Sequence, residues 1–286
     1  MEITLTGTGT PIPMADRNGM SIHVAGEDDQ LLVDCGPGTV HGLLDAGIDP
    51  TNVEKLLFTH HHMDHNVEFF QFVIGTWVVG RSALSIWGPA GTHDLHDGLH
   101  SAFEQDLRAR ETVGDRSQAG LTDVTANEFA PGASLDVPQW EVTTLEVDHV
   151  EGLETVAYRI EEPATGQVVV YSGDTRPVDG MADFACGADV LIHDSTLAPY
   201  AGETPDDEVV WEQFTEIDQE FYDHLAEIHS TPEQAGSVAA AAGVETLVLT
   251  HLLPYRDEQA MKDAASDVFD GRVLVASDGL TVSPSR

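Results

Sequence analysis

One short segment carries most of the residues that could do chemistry in this chain of 286 residues. The stretch 59–66 reads T-H-H-H-M-D-H-N, and its possible metal ligands are His60, His62, Asp64 and His65. The mostly apolar run 53–58 precedes it and predicts a buried strand that brings this loop to the edge of a sheet. Imidazole suits zinc, and a carboxylate suits zinc or a harder metal. Two adjacent ligand sets therefore predict two metal ions that share bridging oxygens.

Three further polar residues follow apolar runs and complete this ligand set. They are His149, Asp174 and His251. One loop cannot fill two metal sites, and these residues supply the missing ligands and a bridging carboxylate, Asp174. The residues assigned to the first metal are His60, His62 and His149. Those assigned to the second are Asp64, His65 and His251.

The expected cofactor is Zn²⁺, two ions per chain, with Mn or Fe as alternatives. A water shared between two such ions loses a proton easily, which gives hydroxide near neutral pH. This arrangement predicts a hydrolase.

Composition restricts the partners and the setting of the protein. The chain has 12 Lys and Arg residues against 50 Asp and Glu, a formal net charge of −38, and 41% of its residues are hydrophobic. Its apolar runs indicate a folded chain and not a disordered one. Such self-repulsion is tolerable in salt, because the screening length falls to about 3 Å near 1 M. We therefore expect a cytoplasmic protein of a salt-accumulating organism and no nucleic-acid partner, which needs clustered Lys and Arg.

Cysteine use and hydropathy agree with an intracellular setting. Cys35 and Cys186 are the only cysteines and are far apart in sequence, which favours a reducing compartment over a disulfide framework. No apolar run approaches the roughly 20 residues of a membrane span. The first residues also lack the arrangement of a signal peptide. We expect a soluble protein with no membrane partner.

Short apolar runs bounded by Gly, Pro and Asp alternate with stretches of helical spacing along the whole chain. Helices are expected over residues 41–46, 67–79, 92–111, 211–228, 231–242 and 258–269. A chain that begins with consecutive strands and then mixes both element types predicts two sheets packed face to face, with helices outside. The length suits one domain over residues 1–286.

These motifs together resemble the metallo-β-lactamase superfamily, and its ribonuclease Z-like branch in particular, over nearly the whole chain. The matching segments are L-T-G-T-G at 5–9, R-N at 17–18, D-C-G at 34–36, H-x-H-x-D-H at 60–65, His149, S-G-D-T-R at 172–176, L-I-H-D-S-T at 191–196, H-S-T at 229–231, T-H at 250–251 and A-S-D-G at 276–279. The resemblance implies an α/β (α+β) fold, a four-layer αββα sandwich with the metals at one edge of the sheets. It also implies that Asp34 is structural and supports the ligand loop.

The resemblance further points to a carboxylate and a histidine beyond the metal ligands, at Asp194 and His229. If they pair, Asp194 would hold the His229 imidazole in position to protonate a leaving oxygen. The alternative is a purely structural hydrogen bond between the two. The expected catalytic residues are Asp64, Asp194 and His229.

Two departures from this branch bear on the substrate. Members that cut precursor tRNA commonly carry a long, Gly-rich and basic arm between the counterparts of His149 and Asp174, whereas this chain has only residues 150–173 there. The Lys that usually precedes the R-N pair by two residues is Ala15 here. With a net charge of −38 as well, we expect that the chain does not process tRNA 3′ ends.

The sequence therefore predicts a dinuclear zinc hydrolase that attacks phosphodiester or related small ester bonds with hydroxide generated at the metals. Its expected partner is a small anionic ester, and a homodimer is expected because the family often forms dimers. The alternative enzyme is a ribonuclease Z-like endoribonuclease that accepts RNA through surfaces not evident from the sequence. The alternative of another class is a non-catalytic, metal-binding regulatory protein that uses the fold to bind partners.

Overall fold

Two seven-stranded sheets form the centre of the protein in a computed structural model that describes residues 1–112, 117–199, 201 and 219–285. The strands of the first sheet are β1 Glu2–Gly7, β2 Ser21–Ala25, β3 Gln30–Val33, β4 Lys55–Leu57, β5 Ser85–Gly88, β6 Thr125–Glu128 and β14 Leu280–Val282. Those of the second sheet are β7 Ser134–Val137, β8 Trp140–Val147, β9 Thr155–Glu162, β10 Gln167–Tyr171, β11 Val190–Asp194, β12 Thr246–Thr250 and β13 Arg272–Val275.

The two sheets share one plan. The strand order is β14-β1-β2-β3-β4-β5-β6 in the first and β13-β12-β11-β10-β9-β8-β7 in the second. In the first sheet, pairing is antiparallel from β14 to β3 and parallel from β3 to β6. In the second, it is antiparallel from β7 to β10 and parallel from β10 to β13.

Helices cover the outer faces of both sheets. The α-helices are α1 Thr39–Asp45, α2 Met63–Asn66, α3 Phe69–Val79, α4 Thr92–Ala102, α5 Glu104–Glu111, α6 Met181–Ala185, α7 Gln219–Ala226, α8 Pro232–Ala242 and α9 Glu258–Ser266, with a 3₁₀ turn at Pro50–Asn52. Local sequence explains where helix α8 begins. The Thr231 side chain accepts a hydrogen bond from the Gln234 backbone N–H, and the Gln234 side chain accepts one from the Thr231 N–H, so a capping box begins α8.

The alternation of side chains along the strands divides the core into layers. In β10, Val169 and Tyr171 point into the cluster between the sheets, while Val168 and Val170 point to the cluster under α6, α8 and α9. A third cluster holds α3 and α4 against the outer face of the first sheet. Because side chains of a strand alternate between its two faces, one apolar run can serve two layers. The predicted four-layer αββα sandwich is confirmed.

Several expected helices differ in extent. The helix expected over 92–111 is interrupted at Phe103 (φ −113°, ψ 19°), which separates α4 from α5. The helix expected over 211–228 is present as α7, and residues 211–218 lie outside the described residues. Cys35 is buried, Cys186 is exposed and neither forms a disulfide. Within the described ranges, every helix is too short or too polar to cross a lipid bilayer.

Candidate metal centre

The seven expected metal ligands come together at one edge of the sandwich, where strands of both sheets end. The loop with His60, His62, Asp64 and His65 follows β4 of the first sheet. In the second sheet His149 follows β8, Asp174 follows β10 and His251 directly follows β12. Buried strands thus fix the backbone on each side of the centre, as loops that carry function require.

These residues form two groups, which we call the first and the second ligand group. The first ligand group is His60, His62 and His149. Its His149 Nε2 lies 3.3 Å from His62 Nδ1, and the three rings offer one nitrogen each within 4.8 Å of one another. The second ligand group is Asp64, His65 and His251. Its Asp64 Oδ2 lies 3.4 Å from His251 Nε2 and 3.6 Å from His65 Nε2.

Asp174 lies between the two ligand groups. Its Oδ2 atom is 3.2 Å from Nε2 of both His65 and His251, in the second ligand group. The same oxygen is 3.9 Å from Nε2 of both His60 and His149, in the first. One carboxylate therefore faces both groups, which is the position that a bridging ligand occupies.

Unpartnered atoms test whether these residues fit metal ions. Among the described residues, His60 Nε2, His65 Nε2 and Asp174 Oδ1 are buried without a hydrogen-bond partner. Most buried polar atoms in native proteins are paired, so three such atoms at one point call for a partner. Zinc bonds of about 2.0–2.2 Å in a tetrahedral arrangement place neighbouring donors about 3.4 Å apart, and the N–O separations given above lie around this value. The residues are therefore suited to bind metal.

The outward ring nitrogens of the histidines are held by surrounding groups. His65 Nδ1 donates to Asp34 Oδ2 at 2.8 Å, and His149 Nδ1 donates to the Ile228 carbonyl at 3.0 Å. His60 Nδ1 lies 3.0 Å from the Thr59 hydroxyl, and His251 Nδ1 lies 2.8 Å from the Thr196 hydroxyl. Such partners fix the orientation of the rings and direct Nε2 toward the centre.

The backbone is constrained at the same place. Asp34 and His251 have φ of 62° and 61°, in the left-handed region that non-glycine residues rarely adopt. Gly173, next to Asp174, has φ of 60°, and a Cβ there would lie 2.7 Å from the Val156 carbonyl oxygen. Strained backbone of this kind concentrates at functional sites. Only glycine fits the turn that presents Asp174.

Comparison with known proteins assigns this arrangement to a family. A profile of the beta-lactamase superfamily domain matches residues 29–252, a span that contains all the candidate ligands. The chain belongs to the metallo-β-lactamase superfamily.

Sequence relatives place the chain in the ribonuclease Z-like branch of this superfamily, and solved structures share its fold. It is 32% identical to "Ribonuclease Z" of Mycobacterium bovis (strain BCG / Pasteur 1173P2) over 288 residues, 97% of this chain and 96% of the relative. The human tRNase Z, short form, has a TM-score of 0.72 at 22% identity and covers 100% of both chains. The metallo-β-lactamase fold protein YhfI from Bacillus subtilis has a TM-score of 0.72 at 22% identity, with 99% of both chains covered. The predicted branch is confirmed, and the chain is a metal-dependent hydrolase acting on ester bonds.

The same comparisons overturn the expected substrate. Three expectations were wrong. They were that this hydrolase does not process tRNA, that its substrate is a small ester, and that nucleic acid is not its partner. The alignment with ribonuclease Z runs nearly end to end in both chains, so that relative has no long extra arm either. Net charge is a sum over the whole surface and bears on solubility and non-specific binding. It does not describe the surface around the metal centre.

The hydrolase keeps an ionised carboxylate in a buried cluster. Burial lowers the pKa of His60 well below its usual value, which leaves a neutral imidazole suited to bind metal. Burial favours the neutral form of Asp174, but the His251 and His65 imidazoles outweigh it and hold the pKa of that carboxyl well below its usual range. For His65, burial lowers the pKa and the Asp174 and Asp34 carboxylates raise it well above its usual value.

Asp194 and His229 pair beside the ligand groups. His229 Nδ1 donates to Asp194 Oδ2 at 2.7 Å, and the His229 ring lies against His149 and His251 with centroids 4.9 and 5.2 Å apart. Both Asp194 oxygens also accept hydrogen bonds from the backbone N–H groups of Thr175 and Thr196, so both are already bound by protein donors. Burial lowers the pKa of His229, but Asp194 raises it above its usual value.

A cavity of about 320 Å³ opens above this centre. Its floor contains residues of both ligand groups, Asp174 and His229. The segment 10–12, which follows β1, and α7 contribute to its walls. Asp64, the third expected catalytic residue, faces this cavity, where a substrate can reach it.

Sequence reasoning assigned no role to Thr196. The Thr196 hydroxyl donates to Asp194 Oδ1 at 2.8 Å and also lies 2.8 Å from His251 Nδ1, so it links the acidic pair to the second ligand group. The signals in the sequence were its position two residues after Asp194 and its place in the L-I-H-D-S-T segment at 191–196. His61 turns away from the centre, with Nε2 2.9 Å from the Thr92 hydroxyl.

Proposed function

We propose that this hydrolase is a ribonuclease Z-type endoribonuclease that cleaves precursor tRNA at its 3′ end. The observation that carries the proposal is the end-to-end similarity to "Ribonuclease Z" at 32% identity, combined with two ligand groups around one buried carboxylate. The shared fold with the human tRNase Z, short form, supports it. The substrate bond is the phosphodiester at the junction of the tRNA and its 3′ trailer.

The proposed cofactor is Zn²⁺, two ions per chain. His60, His62 and His149 would hold one ion, Asp64, His65 and His251 the other, and Asp174 would contact both. When bound, the ions stabilise charge on the phosphoryl oxygens and make water a stronger nucleophile. Nitrogen-rich donors with one shared carboxylate support zinc over a hard cation such as Mg²⁺.

Three residues are proposed to move or hold protons, and one of them, Asp64, is also a proposed ligand. Asp64 faces the cavity, and its carboxylate can accept a hydrogen bond from the attacking water. His229, held by Asp194, lies across the floor within reach of both ligand groups and would protonate the leaving oxygen. We also propose one domain over residues 1–286, because both sheets contribute to this single site.

We further propose a cytoplasmic setting in a salt-accumulating organism. Basic side chains such as Arg17, Lys55 and Arg176 already pair with carboxylates. An excess of negative charge still remains, which supports this proposal. A formal charge of −38 repels itself strongly unless salt screens it. The midpoint of thermal unfolding should rise by several degrees between 0.1 and 2 M KCl. A midpoint that stays constant would refute the halophilic part of the proposal.

The function is tested with a precursor tRNA that carries a 3′ trailer. Zinc-loaded protein should cleave it at the tRNA–trailer junction, and the products are mapped by sequencing gels over a range of KCl concentrations. As a control, Asp183→Ala removes an exposed carboxylate on α6 and tests whether a change in charge alone alters cleavage. If zinc-loaded protein leaves the junction intact and cleaves another phosphodiester, the proposed function is wrong.

A further inference from the structure

One basic side chain stands beside the metal centre in this acidic protein. Arg176 is the only Lys or Arg within two residues of any of the seven candidate ligands along the sequence. It follows Asp174 by two residues, and the residue with which it pairs, Asp148, directly precedes His149. Because Asp174 and His149 both line the cavity, the backbone places this arginine at the edge of the cavity.

Backbone hydrogen bonds hold Arg176 in this position. Its N–H donates to the Asp148 carbonyl at 3.0 Å, and the Asp148 N–H donates to the Thr175 hydroxyl at 3.3 Å. Thr175 is anchored in turn, because its N–H donates to Asp194 Oδ2 at 3.0 Å and its carbonyl accepts from the Ser230 hydroxyl at 2.7 Å. The two loops are therefore joined through their backbones, and the ion pair between the side chains is not needed for that.

The guanidinium of Arg176 is only partly used. Its Nη2 pairs with the Asp148 carboxylate, whereas Nε and Nη1 have no hydrogen-bond partner among the described residues. The structural arginine of this fold, Arg81, is buried and donates through all three nitrogens. The Arg176 side chain is 47% exposed and that of Asp148 is 52% exposed, and an exposed ion pair contributes little to stability. The free donors of Arg176 are therefore available to an anion from solution.

We propose that Arg176 binds a phosphate of the precursor tRNA next to the scissile phosphodiester. This inference rests on the proposed function and names one of its substrate contacts. The described residues that line the cavity include no Lys or Arg, so a phosphate beside the scissile one needs a cation from outside the cavity. A guanidinium suits phosphate oxygens because its donors have a fixed, planar arrangement. Asp148 uses one nitrogen, orients the group and is a positioning residue.

The first test compares Arg176→Ala with Arg108→Ala as the matched control. Arg108 also pairs through one nitrogen with a carboxylate, Glu104, but it lies on α5, on the outer face of the first sheet. The kcat/KM for precursor tRNA should fall roughly 10- to 100-fold in Arg176→Ala, the effect of losing a hydrogen bond to a charged group, and stay unchanged in Arg108→Ala. Bis(4-nitrophenyl) phosphate has no neighbouring phosphate, so wild type and Arg176→Ala should cleave it equally.

Salt dependence separates a phosphate contact from a structural role. The probe is a fluorescein-labelled precursor tRNA in which methylene replaces the bridging oxygen of the scissile bond, so that it binds zinc-loaded protein without being cleaved. Its affinity is measured by anisotropy over KCl concentrations at which circular dichroism shows folded protein. The slope of log affinity against log salt should be smaller by about 0.7–0.9 in Arg176→Ala, the value for one phosphate contact. Arg176→Lys keeps the charge and Asp148→Asn keeps the arginine, so both should retain the wild-type slope.

The outcomes distinguish this contact from the proposed function. Junction cleavage with equal kcat/KM and equal salt slopes in wild type and Arg176→Ala would overturn the contact and leave the proposed function standing. Equal losses in Arg176→Ala and Asp148→Asn, with unchanged slopes, would also overturn it, because the pair would then be structural. A salt slope that depends on Arg176 without cleavage of the junction would support the contact and refute the proposed function. Absence of both binding and cleavage would refute both.

Discussion

The two ligand groups of the metal centre differ in charge and in support. The first ligand group consists of three imidazoles, and the groups that hold its outward nitrogens are neutral, the Thr59 hydroxyl and the Ile228 carbonyl. The second ligand group contains the Asp64 carboxylate, and its His65 is held by a second buried carboxylate, Asp34. All members of the second group are buried, whereas His62 of the first is half-buried.

This difference indicates unequal roles for the two proposed metal sites. A buried carboxylate hydrogen-bonded to a ligating imidazole makes that imidazole a stronger ligand and fixes its orientation. We therefore expect the second ligand group to hold its ion more tightly. The first group contains the half-buried His62 and is the expected point at which an ion exchanges.

Replacement of Asp174 should abolish the difference in metal affinity between the two ligand groups. It should also have the largest effect on cleavage. Asp174→Ala takes away the carboxylate that faces both groups, so we expect neither ion to be retained fully. Cleavage should fall by at least the order of 10³-fold that loss of a single transition-state contact can cause. Metal content by mass spectrometry and the cleavage rate check this. Two tightly bound ions in Asp174→Ala would contradict the assigned bridge.

His229 contacts a ring of each group, and its loss should separate proton delivery from metal binding. His229→Ala should lower cleavage of RNA, which has a poor leaving group, by about 10²- to 10⁴-fold. It should have much less effect on an artificial nitrophenyl phosphodiester, because nitrophenolate leaves without a proton. Asp194→Asn should show the same pattern more weakly. Equal losses on both substrates, with metal content unchanged, would show that the pair is structural.

Asp34→Asn should weaken metal binding by the second ligand group only. The variant keeps the shape of the side chain but removes the charge that accepts the His65 Nδ1–H. Loss of such a partner weakens metal affinity by roughly 10- to 100-fold. In a chelator titration with two phases, only the phase of the tighter ion should shift. If both phases shift equally, the two groups do not differ as we propose.

Much of the centre could be predicted from sequence because each candidate ligand follows a locally recognisable strand. His251 directly follows the run Thr246–Thr250, and Asp174 follows Gln167–Tyr171 at a short distance. These central strands are buried on both faces and therefore read as continuous apolar runs. The same runs predicted the two facing sheets.

Other features depend on contacts between distant residues. The strand Thr125–Glu128 lies at the edge of its sheet and carries little apolar sequence, so no apolar run predicts it. The left-handed backbone of His251 and the role of Thr196 arise only when separate strands meet. The substrate was misjudged because net charge, a property of the whole surface, was used to describe one cavity.

Replacement of His61 should have the smallest effect on cleavage and serves as the control within the ligand loop. It lies between two ligands of the first group, yet its Nε2 is 2.9 Å from the Thr92 hydroxyl and its ring packs against Phe58. His61→Ala should therefore keep both ions and nearly full cleavage. Loss of the hydrogen bond should lower the free energy of unfolding by about 1 kcal/mol, or roughly 2–4 °C in the unfolding midpoint. Loss of an ion, with the midpoint unchanged, would place His61 in the first ligand group and change the comparison itself.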